Sequence, residues 1–284
     1  MNHLSPADFE LSAERNAAIL RSEILPQLLD GLAPSDDPRL VLVLGQSGAG
    51  KTTLSRDLAT SLEGNGASVT LDFDRLMRFH PDFPELQERF ERDVQLYVKA
   101  DVSIWLEELG REARRRGVHV ICELTGSNPD AVRDTAESYR EHGYGVEAVV
   151  LAVPKSVSRK AIRQRYRLQK AAAGFGRNIP GKYHDRAYEG LLEVCDDIDQ
   201  GRIADAVTVL GWGCRPLYSN QLAADGRWAH SGSCRRAVER GRERRAGSRP
   251  PRKRFLLKGR NGPMKFGPAV GPRAELRIRP SRGR

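Results

Sequence analysis

The chain has 284 residues, enough to close a hydrophobic core as one large domain or two small ones. Its four cysteines, Cys122, Cys195, Cys214 and Cys234, contain no C-x-x-C pair, which argues against a zinc site or a disulfide framework, and no run of 18 apolar residues is present to span a membrane. The net charge of +10 is lopsided: residues 231–284 carry 18 Lys/Arg against 3 Asp/Glu, so the first 230 residues, with 29 basic and 34 acidic side chains, form a mildly acidic body rather than a general polyanion binder.

The opening MNHLSPADFE lacks the basic-then-apolar layout of a secretory signal, and with so few cysteines it leads us to expect a cytoplasmic, reducing setting. Ser5, Pro6 and Asp8 predict a helix start, and Ile19, Leu20, Ile24, Leu25, Leu28 and Leu29 continue a helical pattern with a break near Pro26. Residues 39–44, RLVLVL, form a continuous apolar run suited to a central strand covered on both faces. Further strands are expected at 67–72, 118–122 and 146–153, with a weaker one at 204–210. Helical patterns lie between them, at 52–62, 85–99, 102–116, 129–142 and 155–173. Strands alternating with helices specify an α/β fold with a mostly parallel central sheet and helices on both faces.

Directly after the first strand stands Gly45-Gln46-Ser47-Gly48-Ala49-Gly50-Lys51-Thr52, which fits G-x-x-x-x-G-K-[ST] in the strand–loop–helix setting that the motif requires. The glycines let backbone N–H groups turn inward around an anion, and the following helix adds its positive end. With Thr53 beside them, these residues make a candidate triphosphate cradle. Lys51 is expected on the β- and γ-phosphates and the Thr52 hydroxyl on Mg²⁺.

The second strand ends in Asp72-Phe73-Asp74, two carboxylates at spacing two, either of which could meet a hydroxyl in line with a γ-phosphate. Arginines are concentrated after the fourth strand, at Arg159, Arg163, Arg165 and Arg167, with Gly174, Gly176 and Arg177 beyond. A cationic helix flanked by glycines suits a lid over phosphates. A carboxylate base with mobile arginines fits a P-loop small-molecule kinase better than a GTPase or motor.

The succession Gly45 to Thr52, Asp72-Phe73-Asp74 and Phe79-His80-Pro81-Asp82-Phe83 resembles the zeta toxin family. Further matches are Cys122-Glu123-Leu124-Thr125-Gly126, Leu151-Ala152-Val153-Pro154-Lys155, Gln164-Arg165-Tyr166, and Arg177 with His184-Asp185. The resemblance covers about residues 10–220. It implies a P-loop kinase that moves the γ-phosphate of ATP to the 3′-hydroxyl of the amino sugar in UDP-N-acetylglucosamine. It also implies a toxin restrained by a small antitoxin at its ATP site. Carried onto this chain, the resemblance makes Lys51 the phosphate-binding lysine, Asp74 the general base and Asp72 its companion. Arg165 and Arg177 become the clamp on the transferring group, and Glu107, Glu123, Thr125 and Thr135 substrate-side contacts. His80 joins that substrate-side set, although its place before Pro81 also suits a turn.

Ser127 stands where the family commonly has an arginine against the acceptor nucleotide, so another sugar or an antibiotic is an alternative acceptor. Residues 231–284 hold 8 Gly and 6 Pro with little apolar periodicity, and we expect a disordered tail beyond a kinase domain of residues 1–230. Such a tail could serve as a nucleic-acid arm, which keeps open a nucleotide-dependent nucleic-acid-binding protein as a rival reading. Its phenylalanines, Phe255 and Phe266, are too isolated for base stacking.

Overall fold

The computed structural model describes residues 5–62, 67–91 and 93–243, together with the backbone of 256–259 and 262–265. Six strands form one sheet in the order β2-β3-β1-β4-β5-β6: β1 (Arg39–Leu44), β2 (Ser68–Leu71), β3 (His119–Leu124), β4 (Gly145–Ala152), β5 (Ala206–Gly211) and β6 (Arg215–Gln221). All neighbours run parallel except β6, which turns back antiparallel on β5. The apolar β1 therefore lies inside the sheet. Leu40, Leu42 and Leu44 face one apolar layer and Val41 and Val43 the other, and all five are fully buried. Side chains alternating across a strand covered by helices on both faces account for the unbroken hydrophobic run.

Around the sheet lie α1 (Ala13–Ile19), α2 (Leu25–Leu29), α3 (Lys51–Leu62), α4 (Phe73–Leu76), α5 (Phe83–Arg89), α6 (Val94–Arg116), α7 (Pro129–Arg140), α8 (Lys155–Ala173), α9 (Gly181–Asp199) and α10 (Cys234–Glu243). Helix α3 covers the Val41/Val43 face through Leu54, Leu58 and Leu62, while α6, α7, α9 and α10 cover the other. A separate antiparallel pair, β7 (Leu256–Gly259) with β8 (Gly262–Lys265), follows. Among the described residues no helix is long and apolar enough to cross a membrane.

Four expectations need adjusting. The Ser5 signature caps only a 3₁₀ turn, Pro6–Phe9, and the α-helix starts after Ser12, whose hydroxyl accepts from Arg15 N. Near Pro26 the helix does not break. A π turn over Leu20–Ile24 carries α1 into α2 and absorbs the missing proline N–H. The expected division between 99 and 102 falls instead between α5, which ends at Arg89, and α6, which starts at Val94, because Val94, Val98, Val102, Trp105, Leu109 and Ala113 form one continuous buried stripe.

The fourth adjustment concerns the domain boundary. The folded body does not end at 230, since α10 packs on β4, β5 and α9 with Cys234, Ala237, Val238 and Gly241 buried. An added Cβ at Gly241 would come within 2.5 Å of Leu217 Cδ1 and 2.6 Å of Ala152 Cβ, so the close approach needs glycine. The Asp199 carboxylate at the end of α9 accepts from Ser233 Oγ (2.6 Å), Cys234 N (2.6 Å) and Arg235 N (3.3 Å), an anion placed at the amino end of α10. The disorder expected for the remaining tail lies, apart from the β7–β8 backbone, outside the described residues.

Candidate functional site

The site forms at the carboxyl edge of the sheet, where the loop between β1 and α3 emerges between β3 and β4. Gly48 and Gly50 take φ values of 78° and 99°, left-handed conformations that admit glycine and turn the backbone around an open centre. Gly45 packs against Leu151, and Ala49 against the apolar layer under α3. Gln46 is fully buried, whereas Ser47 is partly exposed and Thr53 exposed. Lys51 opens α3 and donates from Nζ to Gly45 O at 2.8 Å. Burial pushes the Lys51 ammonium down to about 8, against the pull of Glu123 and Asp72, while Arg177 and Arg165 reinforce the depression.

The neighbouring strand ends bring acids to the cradle. Thr52 Oγ1 donates to Glu123 Oε2 at 3.0 Å, joining α3 to the end of β3. Asp72 caps α4, its Oδ1 accepting from Asp74 N at 2.9 Å. Burial raises the Asp72 carboxyl, opposed by Arg177 and Lys51; burial also raises Glu123, helped by Asp72 and opposed by Lys51 and the Thr52 hydroxyl. Asp74, on the first turn of α4, forms an ion pair with Arg177.

Two arginines reach in from the far side. Burial lowers both, Arg177 to about 10, with Asp72 pulling back in each case. Among the described residues Arg165 Nε and Nη2 and Arg177 Nε are buried with no hydrogen-bond partner. Unpaired guanidinium nitrogens next to a glycine-rich cradle fit an anionic ligand with several oxygens. The Arg177 loop is held in place by residues that the sequence did not single out: Gln169 Oε1 accepts from Arg177 N (2.9 Å), Gln95 Oε1 from Arg177 Nη2 (3.3 Å) and Glu91 Oε1 from Gly176 N (2.9 Å).

Lys51, Thr52, Asp72, Asp74, Glu123, Arg165 and Arg177 thus come together, while three further expected residues make their contacts with other groups. His80 is 1% exposed. Its Nε2 lies 3.2 Å from Asp101 Oδ2 and its Nδ1 accepts from Asp82 N, so it ties the turn before α5 to α6. Glu107 stands on the exposed face of α6 and pairs with Arg111 at 3.4 Å. Thr135 is half-buried on α7 and its hydroxyl donates to Ala131 O, the local bond common for a helix threonine. Thr125, after β3, shares a 2.9 Å hydrogen bond with Ser127.

The zeta toxin family model matches residues 27–227, a span that includes the cradle, both acids after β2 and both arginines. The chain belongs to the zeta toxin family. Within that family it is 30% identical over 171 residues to Toxin zeta of Enterococcus hirae, covering 60% of this chain and 59% of that one. It is 27% identical to Toxin PezT of Streptococcus pneumoniae over 65% of this chain and 73% of the relative. The matched region spans about three fifths of the length of the enterococcal toxin and of its Streptococcus pyogenes counterpart. A solved structure from the PezAT chromosomal toxin-antitoxin system of S. pneumoniae shares the fold, with a TM-score of 0.69 at 22% identity over 81% of this chain and 88% of that one.

Proposed function

We propose that this zeta toxin family member is an ATP-dependent phosphotransferase with an alcohol acceptor, and that the alcohol is the 3′-hydroxyl of the amino sugar in UDP-N-acetylglucosamine. One observation carries the reading: Lys51, Arg165 and Arg177 converge on Asp72 beside the glycine cradle, with buried guanidinium nitrogens left unpaired. When bound, Mg-ATP supplies the transferable phosphoryl group and the divalent charge that screens it. The loop N–H groups from Gly45 to Thr52 hold the phosphates, and Lys51 trades its Gly45 carbonyl for phosphate oxygens. The Thr52 hydroxyl would hold the metal; Mg²⁺ keeps mostly water and phosphate ligands, so one protein oxygen suits it.

Arg165 and Arg177 brace the charge that develops on the transferring group. Asp74 takes the acceptor proton, with Asp72 fixing its peptide through the cap bond. Positioning and charge stabilisation supply most of the rate, because this chemistry leaves little covalent work to the protein. In a cell the product would withdraw a wall precursor, and a small antitoxin over the ATP site would keep the enzyme silent.

The test is transfer of radiolabel from [γ-³²P]ATP to UDP-N-acetylglucosamine by the purified chain with Mg²⁺, alongside a panel of sugars and aminoglycosides. Label on the nucleotide sugar, absent with Lys51→Ala, is the expected result; label on another acceptor alone would overturn the acceptor assignment. That outcome has its own structural motive, because Ser127 carries no cation and its hydroxyl is engaged with Thr125. Growth arrest on expression, relieved by Lys51→Ala, tests the toxin reading.

A further inference from the structure

From the phosphate cradle a buried polar cluster runs outward through Gln46, Ser158, His184 and Asp185. Gln46 belongs to the cradle, Ser158 to the first turns of α8, and His184 and Asp185 to the first turn of α9. Gln46, Ser158 and His184 are 0%, 0% and 1% exposed. Gln46 Nε2 donates to Val153 O (2.8 Å) and Ser158 Oγ (3.2 Å), Ser158 Oγ lies 2.8 Å from His184 Nε2, and His184 Nδ1 lies 3.1 Å from Asp185 Oδ1. Asp185 also pairs with Lys155 and Arg159 on α8, and its bond to His184, together with those cations, holds its carboxyl at about 2. With a neutral His184 the chain is satisfied by Gln46 N–H to Ser158, Ser158 O–H to His184 Nε2 and His184 Nδ1–H to Asp185; with a charged His184, Nε2–H donates to Ser158, whose hydroxyl turns to Lys155 O at 3.2 Å. Such burial leaves the serine no room to act as a nucleophile.

We propose that α9 is a positioning strut that sets the arginine-bearing helix α8 against the phosphate cradle, with His184 and Ser158 as its positioning residues. The inference rests on the kinase reading. Steric contact reinforces the polar one: a Cβ on Gly48 would lie 2.3 Å from Ser158 O and 2.9 Å from Ile162 Cγ1, so the cradle backbone is seated directly on α8. Six residues further along α9, Gly190 packs on the loop after β3, where a Cβ would meet Gly126 O at 2.6 Å and Ser127 Cα at 3.3 Å. One helix thereby touches both α8, on which the donor cradle is seated, and the loop carrying Thr125. Arg165 lies two turns beyond Ser158, about 10 Å along α8, so a tilt of about 6° at the Ser158 joint displaces the guanidinium root by about 1 Å. A displacement of that size at a reacting centre costs about a hundredfold in rate.

The experiment compares His184→Gln, His184→Asn and Ser158→Ala with the wild-type chain. Gln places its terminal amide near the Nε2 position and keeps the bond to Ser158; Asn reaches only the Nδ1 position and loses it. Three readouts are taken: melting temperature, Mg-ATP titration, and kcat and KM for transfer to UDP-N-acetylglucosamine. For His184→Asn and Ser158→Ala we expect kcat at least tenfold lower, KM for ATP within threefold of wild type, and protein still folded at the assay temperature. His184→Gln is expected to recover most of the rate. Hydrogen exchange of residues 159–173 with Mg-ATP bound is the readout that needs no turnover, and it accelerates in His184→Asn alone of the two histidine variants. Equal behaviour of Gln and Asn in exchange, or losses in kcat that track the unfolded fraction, would overturn the strut. If the wild type binds Mg-ATP yet labels no acceptor, the kinase reading fails while exchange still decides the strut.

Discussion

Lys51 is the residue whose charge depends most on what fills the site. Alone it titrates at about 8, against an ordinary 10.5, because burial outweighs Glu123 and Asp72. A triphosphate favours the charged form, so binding draws a proton onto Lys51 above pH 8, and ATP affinity is expected to fall up to tenfold per pH unit there. Calorimetry at pH 7 and pH 9, in buffers of different ionisation enthalpy, reads that proton directly, and Lys51→Met is expected to abolish it. The sign for folding is opposite. Between about 8 and 10.5 the unfolded chain binds the proton that the folded one has released, so the nucleotide-free protein gains stability as pH rises through that window. On the acceptor side, Asp74→Ala is expected to bind ATP within a few-fold of wild type and to lose transfer by roughly a hundredfold or more, whereas Lys51→Ala weakens both. Near-normal transfer by Asp74→Ala, measured by label release into product, would shift the base assignment to Asp72. Loss of one bracing guanidinium in Arg177→Ala costs roughly 3 kcal/mol of barrier. The residues legible in advance are those whose chemistry is local in sequence, such as the cradle and the acids that end β2. The partners that His80, Glu107 and Thr135 take in the fold were not legible, because they depend on helix faces and on Asp101, 21 residues beyond His80, and spacing alone cannot supply those.

At the level of elements, glycine does the joining. With φ of 78° and 2.3 Å between a hypothetical Cβ and Ser158 O, Gly48→Ala strains its own backbone and pushes α8 outward. Its expected signature is a lower melting temperature together with weaker ATP binding, by differential scanning fluorimetry and titration; an alanine variant with both unchanged would contradict the seating described. The strands of the core were readable because an unbroken apolar run has few other homes. Helix α6 was misread as two pieces because Asp101 interrupts its hydropathy; inside the fold that carboxylate is satisfied by Asn16 and His80. Helix α10 escaped notice for a different reason. Its buried positions, Cys234, Ala237, Val238 and Gly241, are small and hemmed by arginines, so average composition masks an i, i+3, i+4, i+7 face.

For the molecule as a whole, the folded body extends past the end of the family match at 227, and truncation separates the two boundaries. Stopping after residue 230 removes α10 and exposes the apolar surface of β4, β5 and α9 on which Val238 and its neighbours pack. At about 1.5–3 kcal/mol for one large apolar side chain, the melting temperature is expected to fall by roughly 5–10 °C. Stopping after Glu243 is expected to leave melting and phosphoryl transfer near wild type, and a salt-dependent loss of DNA or RNA binding on that deletion would instead favour a nucleic-acid role for the arm. The α/β architecture was legible from strand–helix alternation, but the antiparallel β6 was not, since Arg215-Pro216-Leu217-Tyr218 has neither an apolar run nor clean alternation. The docking of α10 has a geographical consequence. Gly241 rests on Ala152, the last residue of β4, and Arg242 stacks on Tyr188 of α9, so α10 ends at the carboxyl edge of the sheet, the edge from which the phosphate loop also emerges.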